Sequence, residues 1–225
     1  VLYPKFVTIE NKTVIEIIEP EKVETQEDLS NSVQQTLEWE DFKGKKYKLS
    51  YSYVPEYLNT KSIERASYQY FSATSKDALY NNVYKHYIEN DKPFIDYLTK
   101  EFLKLAEKAK ITSKLELAEM IVTAVQNQEY FLVHNDTCEN VMKNGDKNSF
   151  GYKYHQEYSN KCVPNEQYYA LACPSEFFFS KKGDCDTRTV ALFQILKNIG
   201  VDVVIINSDS HSILGVANIG NYDDY

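Results

Sequence analysis

The stretch that decides the fold is Lys182-Gly183-Asp184-Cys185-Asp186-Thr187-Arg188-Thr189, read through to His211-Ser212-Ile213-Leu214-Gly215-Val216. Between them Leu192, Ile195, Leu196 and Ile199 recur three and four residues apart, which predicts one amphipathic helix, with Gly200 as its C′ residue. Val201 to Ile206 is apolar and β-branched and predicts a strand, Asn207 to Ser210 a turn, and a second strand opens at His211. Cys185 therefore falls at a helix N-terminus, where unpaired backbone N–H groups and the helix dipole favour a thiolate. The chain then returns through one strand and brings His211 to the mouth of the next. A thiol on a helix tip facing an imidazole on a sheet edge is the arrangement a cysteine nucleophile and its base require. Asp184 and Asp186 act against it, because their charge raises the pKa of the thiol between them. The residues leave three roles open for this pair: capping the helix, pairing with Arg188, or binding a cation.

Working outward, Cys173-Pro174-Ser175-Glu176 predicts a short helix ahead of the nucleophile loop, with Ser175 and Glu176 as capping residues. The stretch 134–166 is polar, too long for an ordinary connection, and reads as a functional loop or an insertion. Cys138 and Cys162 bracket it, either as a disulfide or as two free thiols. The four cysteines, Cys138, Cys162, Cys173 and Cys185, form no CxxC pair, and with His134 and His155 they make a Cys/His group whose spacing matches no standard zinc pattern. As isolated residues, His86, His134 and His155 read as surface positions.

Further upstream the period is helical. Thr74 and Asp77 form a capping box, Pro93 opens a helix with the stripe Phe94, Tyr97, Leu98, Phe102 and Leu105, and Ser113 with Glu116 caps another carrying Leu117, Met120, Ile121, Ala124 and Val125. Residues 1–72 read mostly as strand. Leu37 and Trp39 precede a turn at Lys43-Gly44-Lys45, and Tyr47, Leu49, Tyr51 and Tyr53 alternate after it, which predicts a hairpin.

Lys plus Arg is 25 and Asp plus Glu 33 in 225 residues, a net charge of −8. That balance argues against nucleic acid as a partner, which needs a basic field. The apolar run Val203–Ile206 is far too short to span a bilayer. Nineteen Tyr against seven Gly reads as a compositional habit; a Tyr-rich binding face is the rival reading.

The pattern Pro-x-Glu, Gly-Asp-Cys-Asp-x-Arg, a helix ending at Gly, a strand, and His-Ser-x-Leu-Gly resembles the bacterial transglutaminase-like cysteine peptidases. The resemblance covers about residues 113–218 and is specific from Pro174 onwards. It implies an α+β fold: a transglutaminase/papain-like core, helices packed on an antiparallel sheet, in a domain at 73–225, preceded by a β-rich N-terminal module at 1–72. It implies a thiol-dependent peptidase or amidase acting on a protein or peptide substrate, with Cys185 as nucleophile and His211 as base. A transamidase, or an inactive binding or scaffold module, is the alternative. No cofactor is required, though relatives that hold calcium with acidic residues beside the nucleophile suggest Asp184 and Asp186 for that ion. The third member of such a site follows on the next strand. A turn near Gly220-Asn221 puts the partner of His211 at about position 229, beyond Tyr225, so the expectation is that the catalytic sheet continues past this chain. An extracytoplasmic location, periplasmic or cell-surface, goes with that reading.

Overall fold

Leu37, Trp39, Tyr47, Leu49 and Tyr51 are all buried, and their alternation builds the first unit of the fold. In the computed structural model, which describes residues 31–68, 76–164, 170–208 and 211–217, they lie on β1 (Val33–Glu40) and β2 (Lys46–Tyr53), an antiparallel hairpin with Leu37 opposite Leu49 and Trp39 opposite Tyr47. Gly44 takes φ +81° in the turn, and Asp41 Oδ1 accepts the backbone N–H groups of Lys43 and Lys45. Residues 1–30 and 69–72 of the expected β-rich module, Thr74 of the capping box, and the expected turn at Gly220-Asn221 lie outside the described residues.

The strand character expected up to residue 72 stops at Tyr53. Residues Pro55–Ser67 form a helix, α1. Pro55 occupies its first turn, where a missing N–H costs nothing, and the following sequence has lost the period of two. Two helices follow with only Asp91 between them, α2 (Lys76–Asn90) and α3 (Lys92–Lys108), and then α4 (Lys114–Gln126), whose cap is Ser113 accepting the N–H of Glu116. Phe94, Leu98 and Phe102 are buried along α3, and Met120, Ile121, Ala124 and Val125 along α4, as their spacing predicts.

The polar stretch 134–166 has structure of its own. Strand β3 (Leu132–His134) leads to α5 (Cys138–Asn144) and α6 (Phe150–Glu157), and β4 (Cys162–Pro164) returns parallel to β3. Cys138 and Cys162 are joined as a disulfide, Cα–Cα 6.0 Å, which closes the unit at both ends.

The C-terminal part carries α7 (Pro174–Ser180), α8 (Cys185–Asn198), and the antiparallel pair β5 (Asp202–Asn207) and β6 (Ser212–Ala217). Gly200, φ +74°, follows α8 as the spacing predicts. Helix α8 is the central element. Its Ala191, Leu192, Ile195 and Leu196 join the inner faces of the hairpin, α3, α4 and α7 in one apolar cluster, while Val190 enters a second with Val83, Tyr84, Tyr87, Leu171 and Cys173. The chain is thus α+β, with eight helices and three two-stranded sheets among the described residues. The strands β5 and β6 pack against α8 and bring the start of β6 to its N-terminus.

No helix among the described residues is long and apolar enough to cross a membrane.

Candidate functional site at the N-terminus of helix α8

The loop before α8 is pinned from several sides. Gly183 pairs with Tyr130 as an isolated parallel bridge, and its carbonyl accepts the N–H of Phe131 at 3.2 Å. A Cβ here would lie 2.8 Å from Thr187 Cγ2 and 2.9 Å from Phe177 Cδ2, so only glycine fits. Asp184 is the N-cap residue. Its Oδ1 accepts the N–H of Thr187, and its Oδ2 accepts the N–H of Val133 at 3.0 Å, which ties β3 to the helix tip.

Cys185 is the first residue of α8 and a free, half-buried thiol. The backbone N–H groups of Ser212 and Asp186 and the side chain of Tyr130 lie close enough to the thiol to act on its ionisation. Burial pushes the thiol pKa up. The Ser212 N–H opposes that shift, the charges of Asp186 and Asp184 add to it, and the net direction is upward. Asp186 is itself held well above the usual carboxylate range by burial and then by the neighbouring Asp184.

His211 lies one residue before β6 and is exposed. Its backbone is clasped by Ser208, whose N–H donates to the His211 carbonyl at 2.8 Å and whose hydroxyl accepts the His211 N–H at 3.1 Å. The next residue, Ser212, turns inward. It is buried, donates to Asn207 Oδ1 at 2.7 Å, shares a hydrogen bond with Tyr84 at 3.3 Å, and accepts from Thr189 through its carbonyl at 3.2 Å. The fold therefore brings the sheet edge to Cys185, with Ser212 as the residue facing it and His211 beside it on the solvent side. None of the strongest influences on the thiol is an imidazole.

Arg188 does not pair with the aspartates. Its Nε donates to Gly183 O at 3.0 Å and its Nη2 to Gln128 O at 2.8 Å, while the guanidinium stacks on Tyr130, 5.4 Å from the ring centroid. It thus braces the loop through carbonyls. For calcium the fit is poor. Both Asp184 oxygens and one of Asp186 already accept backbone N–H groups, and no third His, Cys, Asp or Glu joins them in a ligand-sized group among the described residues. A calcium ion asks for six to eight oxygens; here the aspartates serve as helix caps.

Ser175 is not a cap either. Its N–H donates to Asp91 Oδ2 and its hydroxyl is buried without a partner, while Cys173 and Glu176 form the capping box of α7. Tyr130, which lies beside the thiol, had no distinguishing signal among nineteen tyrosines.

A second polar cluster lies in the disulfide-closed unit. His155, expected at the surface, is 1% exposed. Its Nε2 lies 2.6 Å from His134 Nε2, and its Nδ1 is buried without a partner. Gly151, one turn earlier on α6, permits the contact, since a Cβ there would stand 2.8 Å from the His134 ring. Burial, and then His155, lower the pKa of His134. His134, His155 and Cys162 offer ligand atoms within 4.8 Å of one another. In comparisons with protein-family models, curated proteins and solved structures, nothing matches this chain.

Proposed function

We propose that the protein is a thiol-dependent peptidase or amidase acting on protein or peptide substrates, with Cys185 as nucleophile and His211 as its base. The observation that carries this reading is the position of Cys185: a free thiol on the first residue of a buried helix, against the first residue of a strand preceded by a histidine. In this mechanism the thiolate attacks an amide carbonyl, the α8 N-terminal N–H groups and the Tyr130 hydroxyl stabilise the oxyanion, and His211 protonates the leaving amine. Water then hydrolyses the thioester; an amine in its place gives the transamidase. The exposed ring of His211 must swing over Cys185 for this, and substrate closing over the thiol supplies the reason for it to do so.

A second reading has its own support. The raised thiol pKa and the two flanking aspartates suit a binding or scaffold module that keeps the fold without the chemistry. The test is labelling of the full chain with an electrophilic acyl probe, alongside Cys185→Ala and His211→Ala. Labelling abolished by the first and slowed at least about tenfold by the second supports the enzyme. Equal labelling of wild type and Cys185→Ala rejects it, and labelling indifferent to His211 supports the module.

A further inference from the structure

We propose that His134, His155, Cys138 and Cys162 form a tetrahedral zinc site when the Cys138–Cys162 disulfide is opened. The proposal uses none of the residues at Cys185 and stands apart from the reading above.

Four elements converge on one point. In the parallel β3–β4 pair Leu132 is opposite Cys162, so His134, two residues on, shares the face of Cys162. Helix α6 brings His155 against His134 from the other side. Helix α5 begins at Cys138, held there by Thr137, whose hydroxyl accepts the N–H of Asn140. His134, His155 and Cys162 already place ligand atoms within 4.8 Å. The fourth, the Cys138 sulfur, is bonded to the third. Two imidazoles and two thiolates are a standard zinc donor set, with bonds of about 2.0–2.3 Å that set ring nitrogens about 3.3 Å apart. The present 2.6 Å contact has only to open by a fraction of an ångström.

The two histidines are already set as a chelating pair. Two imidazoles face each other nitrogen to nitrogen, so both present a ring nitrogen to one point, and an ion there replaces their mutual hydrogen bond with one bond to each. Both cysteines are half-buried, so the disulfide is within reach of a reductant. A dithiol reductant supplies two electrons and two protons to the S–S bond and becomes a disulfide itself. The two thiols formed give their protons to solvent as Zn²⁺ binds, and two thiolates cancel the charge of the ion. The unit is thus closed by a disulfide under oxidising conditions and by a metal under reducing ones.

The test is a cobalt titration of the full chain during reduction by a non-chelating phosphine, so that a chain needing metal to stay folded is still read. The expected result is a single tightly bound cobalt with tetrahedral ligand-field and thiolate-to-cobalt absorption, displaced by zinc and absent from the oxidised chain. His134→Ala weakens binding by more than the roughly 10–100-fold that losing an outer supporting group costs, and Cys185→Ala leaves the spectrum unchanged. The proposal is overturned by the same spectrum in the oxidised chain, by none in the reduced chain, by its retention in His134→Ala, or by its loss in Cys185→Ala.

Discussion

Asp91 Oδ2 accepts the backbone N–H of Ser175 at 2.5 Å, across 84 residues of chain, while its Oδ1 accepts the Tyr57 hydroxyl at 2.8 Å. The carboxyl is fully buried at the junction of α1, α3 and α7. Burial raises its pKa more than these donors lower it. A carboxyl with a raised folded pKa contributes stability that is present in full below its unfolded value and is lost as pH rises through the folded one. The wild type should therefore lose stability relative to Asp91→Asn as pH rises from about 4 towards neutrality. Urea unfolding of both across that range checks this, and a constant difference rejects the cause.

Arg65 and Glu176 form a two-pronged ion pair, Nε to Oε2 at 2.7 Å and Nη2 to Oε1 at 2.8 Å, with side chains 9% and 19% exposed. Glu176 also accepts the N–H of Cys173 at the cap of α7. Glu176→Ala should cost about 2–4 kcal/mol, between an exposed and a buried pair plus a cap. A double-mutant cycle with Arg65→Met should show coupling of about 1–3 kcal/mol. Additive single effects would mean that the pair contributes nothing of its own.

The thiol of Cys185 is held up first by burial and then by the charges of Asp186 and Asp184, against the pull of the Ser212 N–H. Removing one of those charges favours the thiolate. Asp184→Asn, which keeps an N-cap oxygen, should speed alkylation of Cys185 by iodoacetamide at neutral pH by about threefold or more, with the site read by mass spectrometry. A slower reaction reverses the assignment.

Gly183→Ala places a methyl group against Thr187 and Phe177 beneath the nucleophile loop. Overpacking of this kind costs about 1–3 kcal/mol, readable as a lowered urea midpoint with unchanged slope. An unaffected midpoint would show that the loop has room to shift.

What could be read from the sequence follows the length scale of each signal. The hairpin, α3, α4 and α8 are written in local periodicity, and Trp39, Phe102, Ile121 and Ile195 fall inside as that period requires. Helix α1 escaped because Tyr57 continues the tyrosine-rich run of β2 while Pro55 sets the start of a helix. At the candidate site the helix-tip position of Cys185 was legible. Which of two neighbours faces it was not, because a strand that begins one residue later exchanges His211 for Ser212. Arg188 bonds to the carbonyls of Gly183 and Gln128, partners that side-chain chemistry does not announce. The burial of His155 depends on Gly151 and on strand pairing with distant residues, which no local spacing encodes.

The central place of α8 has a consequence for the order of events at the ribosome. The hairpin and α3 emerge early, yet the cluster they share is completed by Ala191, Leu192, Ile195 and Leu196, made some 140 residues after Tyr51. Until that helix leaves the exit tunnel, the apolar faces of the hairpin, α3 and α4 have no lid. The nascent chain must carry them uncovered while the residues between Tyr51 and α8 are made, and this cluster should close in one step when that helix docks.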